Sequence, residues 1–210
     1  MILKVYSAGS LKGAWTELAR ACQAKKGVRL EFEFGASGLL RARLEKGANG
    51  GERADLFTSA DTGHPKTLAD KGLAQTMRVF TGNRLCALAQ PELGLTTANL
   101  LDKLLDPAVR MGTSTPKADP SGDYTWLMFE RAGAIKPGAF EALSKKAMQL
   151  VGGPTSAPPP KDRSAYGKFM DERVVDVFIT YCTGAVTALR EVPRLVNVAL
   201  PDNLSVTATY

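Results

Sequence analysis

Apolar residues along this chain fall into short alternating runs and longer runs of helical spacing, and the two kinds take turns. Leu3-Lys4-Val5-Tyr6 alternates as a strand. After Ser7-Ala8-Gly9-Ser10, apolar positions recur at Leu11, Ala14, Trp15, Leu18, Ala19 and Cys22, which is one face of a helix, and Gly27 supplies the residue that most readily closes it. Residues 28–34 alternate as a second strand. The next cycle is Gly35-Ala36-Ser37-Gly38, a helical run from Leu39 to Lys46, a polar glycine-rich loop over 47–53, and a strand at 54–58. Ser59-Ala60-Asp61 then precedes a helix from about Pro65 to Lys71. Alternating strands and helices predict an α/β fold, a parallel or mixed sheet with helices on both faces.

Beyond Gly72 the spacing changes. Residues 79–84 lead into the apolar strand 85–89, where the chain is expected to cross into a second lobe. A helix near 97–105 and a strand near 110–112 follow, and the two prolines of 113–120 forbid a continuous helix there. Ser121-Gly122-Asp123 opens an amphipathic helix over about 124–132, closed by Gly133, and another helix is expected over 139–150. After the stiff segment containing Pro158-Pro159-Pro160 come a helix near 164–172, a buried strand at 174–180 and a helix at 184–191. Strands at 195–200 and 204–209 are expected to return to the first lobe. The resulting division is 1–82 for lobe one, completed by about 184–210, and 83–183 for lobe two.

Composition narrows the function more than the fold. With 210 residues, 44% of them hydrophobic and 23% charged, the chain has enough apolar surface for a real core and is not a disordered type. No apolar run is long enough to span a bilayer. The start, Met1-Ile2-Leu3-Lys4-Val5-Tyr6, lacks the basic, apolar and small-residue regions of a signal peptide. The net charge of +6 suits an anionic partner, yet the cations are dispersed rather than striped, which argues against nucleic acid. The one histidine, His64, reads as a surface turn residue, and Cys22, Cys86 and Cys182 read as buried or free thiols with no disulfide framework. Their spacing forms no metal-ligand cluster. Trp15 and Trp126 read as core, and Lys145-Lys146 as a solvated helix face.

The chemistry sits in a recurring turn. Small Gly, Ala or Ser residues stand directly before a helix at 7–10, 35–38, 59–61 and 120–122. In a wound α/β sheet such loops lie at the carboxyl ends of the strands, where ligands bind. Helix N-termini there present unpaired N–H groups and a partial positive charge, with Ser hydroxyls as further donors. A serine at such a position ordinarily caps only its own helix. Four of them together predict a neutral trap for an oxyanion.

The segments Ser7-Ala8-Gly9-Ser10-Leu11, Phe34-Gly35-Ala36-Ser37-Gly38-Leu39 and Ala54-Asp55-Leu56-Phe57-Thr58-Ser59-Ala60-Asp61 resemble the periplasmic molybdate-binding proteins of ABC transporters. Gly82-Asn83-Arg84-Leu85, Asp119-Pro120-Ser121-Gly122 and Ile179-Thr180-Tyr181 fit the same order and spacing. The resemblance implies a two-lobe, periplasmic-binding-protein-like fold that closes over a tetrahedral oxyanion in the interlobe cleft. It also implies hydroxyl and amide donors from Ser10 and Ser37, amide donors from Ala60 and Ser121, and the phenol of Tyr181. A further backbone donor is implied near 162–164, placed at Arg163 with Ser164 its neighbour. The triple proline and the arginine depart from the family's apolar pattern there. Selectivity is expected from cavity size and from donors alone, since the proton of a hydrogenphosphate would find no acceptor.

On this reading the chain is a monomeric, non-enzymatic, periplasmic solute-binding protein that delivers molybdate or tungstate to a membrane ABC permease, with no cofactor. An alternative is a binding protein or intracellular sensor for another oxyanion such as sulfate or phosphate. The family's exported members carry a signal peptide, and they continue past the point corresponding to Tyr210 into a terminal helix. A serine hydrolase built on Ser37 would have to use His64 as base, and 35–39 lacks the second glycine of a nucleophile elbow.

Overall fold

A computed structural model describes residues 1–47, 52–160 and 162–210; the centre of the glycine-rich loop, 48–51, and Lys161 lie outside the described residues. The chain divides into two compact units, one of Met1–Gly82 with Thr209–Tyr210 and the other of Asn83–Ala208.

In the first unit, β1 (Ile2–Ala8) is the middle of a three-stranded sheet ordered β2-β1-β3, with β2 at Arg29–Gly35 and β3 at Leu56–Thr58. Both pairings are parallel, with Ala8 opposite Gly35 and Ser7 opposite Thr58. Because β1 is flanked on both sides, Val5, Tyr6, Ser7 and Ala8 are all buried, where alternation alone would leave one face wet. The connecting helices are α1 (Lys12–Lys26), α2 (Ser37–Gly47) and α3 (Gly63–Asp70). Gly27 closes α1 at φ +65°, a left-handed turn that a side chain would strain. Trp15 packs half-buried on Phe32, ring centres 5.6 Å apart, but α1 has no fully buried residue and Leu18 stays half-exposed. His64 is not a surface turn residue: it lies in the first turn of α3, 13% exposed, with Nε2 3.6 Å from Asp61 Oδ2.

The second unit holds a mixed sheet ordered β6-β5-β7-β4-β8, with β9 also on β4. Its strands are β4 (Gly82–Ala89), β5 (Met111–Ser114), β6 (Met148–Val151), β7 (Val177–Tyr181), β8 (Val196–Ala199) and β9 (Thr207–Thr209). Strand β5 runs parallel to β6 and β7, whereas β4 runs antiparallel to β7 and β8. Helices α4 (Leu100–Leu105), α5 (Pro120–Ile135), α6 (Ala139–Lys146), α7 (Ala165–Asp171) and α8 (Cys182–Glu191) cover it. The core on one side is Leu88, Met170, Val175, Phe178, Ala185 and Ala188.

Several expectations are corrected by pairing that is distant in sequence. Residues 184–208 do not complete the first lobe; β8 hydrogen-bonds to β4 and α8 packs on β7, so only Thr209 and Tyr210 belong to the first unit. The helix expected over 139–150 ends at Lys146, because Met148–Val151 is drawn into β6 beside β5. Gly133 does not end α5, since a residue without Cβ is what Phe140 of α6 can pack against. Lys146 is not solvated but donates to the carbonyls of Leu104 and Asp106 at 2.9 and 2.6 Å, and burial lowers its pKa.

The largest correction concerns the thiols. Cys86 on β4 and Cys182 at the start of α8 form a disulfide, with Cα atoms 4.9 Å apart. The antiparallel register that places Leu85 opposite Tyr181 brings them together across 96 residues. Closing so long a loop restricts the unfolded chain strongly, by roughly 2–5 kcal/mol. Reduction, or Cys86→Ser with Cys182→Ser, is therefore expected to lower the urea-unfolding free energy by that amount. An unchanged unfolding midpoint after verified reduction would contradict this.

Candidate functional site

The all-parallel sheet of the first unit sends three strand ends to one edge. There the loops 7–10, 35–38 and 59–61 turn into the short 3-10 segment ahead of α1, into α2 and toward α3. The structure ties them to each other. Thr58 Oγ1 donates to Ser7 Oγ at 2.8 Å, and Ala60 N–H donates to Ser37 Oγ at 3.1 Å. Ser37 and Ala60 are both buried, 1% and 2% exposed. Because Ser37 Oγ accepts from Ala60, its own proton remains for donation. The Ala60 amide is thus committed to Ser37. Ser10 Oγ lies 2.8 Å from the phenol oxygen of Tyr210, a partner supplied by the far end of the chain.

In the second unit, the parallel pair β5 and β7 delivers a comparable edge. Strand β5 ends at Ser114 and leads through a short loop to α5; β7 ends at Tyr181, which caps α8. The ring of Tyr124, in the first turns of α5, meets the ring of Tyr181 edge-on at 6.3 Å. Ser121 is fully buried in the first turn of α5, and its Oγ has no hydrogen-bond partner among the described residues. Thr180 Oγ1, one residue before Tyr181, is likewise buried and unbonded. Buried polar atoms are ordinarily satisfied, so unbonded hydroxyls beside a helix N-terminus mark a place where a ligand could complete the bonding.

Asp119 changes the character of this end. Its Oδ1 accepts the N–H of Ser121 at 3.0 Å, and its backbone carbonyl accepts the N–H of Gly122 at 2.8 Å. Pro120 follows at a helix position that needs no N–H, so Asp-Pro is a local start signal for α5. The loop before it is held by Asp119 N–H to Thr115 O, 2.9 Å, and Thr115 N–H to Val151 O, 2.8 Å. Gly152 stands over the carboxylate at φ +78°, and a Cβ there would overlap it. Gly122 is as constrained, since a Cβ would lie 2.5 Å from the Thr115 carbonyl carbon. Burial pushes the Asp119 carboxyl up from 3.8 to about 6, helped by Asp123 and opposed by the Ser121 amide and the Ser114 hydroxyl. At α5 an acceptor therefore sits on the very amide expected to bind the anion.

Arg163 is turned to α7. Its guanidinium pairs with Asp171 at 3.3 Å, and Asp171, held below the usual carboxylate range by Arg194 and then Arg163, completes a surface cluster. Ser164 N–H donates to both Glu191 oxygens at 2.8 and 2.9 Å, while Ser164 Oγ caps α7 through Gly167 N–H. Glu191 of α8 thus engages the Ser164 amide, and Asp171 of α7 engages the Arg163 guanidinium. Ser10, Ser37 and Ala60 share one edge of the first unit, and Ser121 and Tyr181 share one end of the second. Asp119 was legible as a helix cap but not as a buried acid, and no sequence signal pointed to Tyr210.

Residues 3–210 match the family described as bacterial extracellular solute-binding protein. The chain is 34% identical over 210 residues to the uncharacterized protein PM1146 of Pasteurella multocida, covering 99% of this chain and 85% of that one. It is 28% identical over 151 residues to the molybdate-binding protein ModA of Escherichia coli, covering 69% of this chain and just 55% of ModA. The sulfate-binding protein SubI from Mycobacterium tuberculosis shares the fold with a TM-score of 0.76 at 18% identity, over 100% of this chain and 74% of SubI.

The raised carboxyl has a consequence for stability. The folded chain holds the Asp119 proton more tightly than the unfolded chain does. That stabilisation is complete below about pH 4 and is lost as pH rises through about 6. Asp119→Asn keeps an N-cap acceptor but cannot ionise. Relative to wild type it is expected to gain stability between pH 5 and pH 8 in paired urea titrations; an identical difference at both pH values would contradict the buried acid.

Proposed function

The chain belongs to the bacterial extracellular solute-binding proteins, and from that premise we propose that it binds a tetrahedral oxyanion, molybdate or tungstate, for uptake through an ABC permease. The observation that carries the reading is the fully buried, unbonded hydroxyl of Ser121 in the first turn of α5. A buried hydroxyl donor at the positive end of a helix suits a small anion and needs no cation. The buried Ser37 hydroxyl on the first unit's strand edge, its proton not used by Ala60, is of the same kind. ModA supports molybdate as the ligand through sequence similarity. Sulfate is the second reading, supported by the fold shared with SubI. The disulfide supports an exported protein, because such bonds persist in oxidising compartments.

The family's function is solute binding, and the Ser37 hydroxyl accepts a backbone amide rather than standing as the centre of a triad. In a binding role, each charge-assisted hydrogen bond to the anion contributes about 1.5–3 kcal/mol. Calorimetry with molybdate, tungstate, sulfate and phosphate is expected to show saturable heat, strongest for molybdate or tungstate. Absence of heat and of thermal shift with all four would overturn the reading. Ser37→Ala and Ser121→Ala are each expected to weaken binding by roughly tenfold to a hundredfold at unchanged fold. Wild-type affinity in the Ser121→Ala protein would remove the α5 end from the site.

A further inference from the structure

The α5 N-terminus holds two features that do not fit together in a site for a fully deprotonated anion. Ser121 offers a buried hydroxyl with no partner, while the Ser121 amide is already taken by the Asp119 carboxylate at 3.0 Å. An oxyanion bonded to the Ser121 hydroxyl would be held by the same residue whose amide that carboxylate already takes. Two like charges so close inside a protein repel strongly, and the favoured outcome is a single proton held between them, as in paired carboxylates.

Resting on the oxyanion reading above, we infer that binding at α5 requires one proton, shared between Asp119 and the anion, so that Asp119 is a specificity-determining residue. It selects for anions that bring a proton or allow Asp119 to keep one. Hydrogenphosphate and phosphate monoesters with a proton can donate to the carboxylate. Sulfate and molybdate carry none near neutral pH and bind when Asp119 itself is protonated. The balance depends on the anion: ionised protein plus sulfate or molybdate plus one proton gives the complex, whereas ionised protein plus hydrogenphosphate gives it with no proton from solution, because the ligand supplies the one that is shared.

The surroundings favour this. Burial already raises the Asp119 carboxyl to about 6, so protonation costs little just below neutrality. Asp123, one turn along α5, is the charged group that raises it further, and the Asp123 carboxylate is itself turned to the Lys117 amide at 2.7 Å. From β5 the neighbour is Ser114, and from the segment after β6 it is Gly152; neither titrates. Lys117, within the same loop, has an exposed side chain. Asn at position 119 would keep the cap on Ser121 and remove both the charge and the proton.

The test is calorimetry of wild type and Asp119→Asn with sulfate, micromolar molybdate and phosphate between about pH 5 and pH 8. Wild-type affinity for sulfate and molybdate is expected to fall by about tenfold per pH unit above pH 6, the slope of one linked proton, while phosphate falls less steeply. Asp119→Asn is expected to bind sulfate and molybdate with little pH dependence and to lose any preference for phosphate. Above pH 6, wild-type binding heats for sulfate or molybdate in buffers of different ionisation enthalpy should also show uptake of one proton, a reading that needs no variant. Oxyanion binding with no pH dependence and no proton uptake would overturn the role of Asp119 alone. Failure of all three anions to bind at any pH would overturn the oxyanion reading, and this inference with it.

Discussion

Parallel strand pairing is the constraint on which the rest of this structure depends. A strand that must run the same way as its neighbour can be reached only by a crossover, and here the crossovers are helical. Each strand end therefore feeds a helix start on one edge of the sheet. In the first unit, β1 with β2 and β3 gathers Ser7, Ser37 and Ala60 in this way, and the bonds Thr58–Ser7 and Ala60–Ser37 are the direct result. In the second, β5 and β7 place Ser121 and Tyr181 at neighbouring ends, with the Tyr124 ring between their elements. Antiparallel β4 and β8 contribute no such ends. Their part is to fix the register that sets Tyr181.

That register also explains the disulfide. Leu85 faces Tyr181 and Cys86 faces Thr180 across the β4–β7 ladder, and the turn from β7 into α8 brings Cys182 back to Cys86, Cα atoms 4.9 Å apart. The bond fastens the first turn of α8 to the sheet directly beside Tyr181. Covalent restraint and the aromatic contact with Tyr124 thus act on the same few residues, while α1 in the first unit, with no fully buried residue, carries far less packing.

Asp119 shows how one side chain can reverse the electrostatics of a helix end. As a cap it satisfies an orphan amide and stabilises α5; as a buried carboxylate it places negative charge where an incoming anion would otherwise meet only donors. Gly122 and Gly152 leave it little room, because any Cβ at either position would meet the loop backbone or the carboxylate. The same packing that orders the helix start therefore desolvates the acid and raises its pKa.

Local patterning was enough to read the strand-turn-helix units, the Gly27 stop and the small-residue turns that supply Ser10, Ser37, Ala60 and Ser121, because each depends on residues a few positions apart. The family resemblance rested on those turns, and the match over residues 3–210 agrees with it at the level of solute binding. What spacing could not carry was everything decided by distant pairing. The burial of His64 against Asp61 needed the packed α3 turn, and the strand character of Met148–Val151 needed β5 beside it. The assignment of 184–208 to the second unit needed the β4–β8 ladder, and the Cys86–Cys182 bond needed the β4–β7 register. Sequence determined which groups stand before each helix, because capping is local chemistry. Only tertiary structure decided which of those groups are already bonded and which carboxyl is enclosed, because desolvation and hydrogen-bond partners are set by residues that meet only after folding.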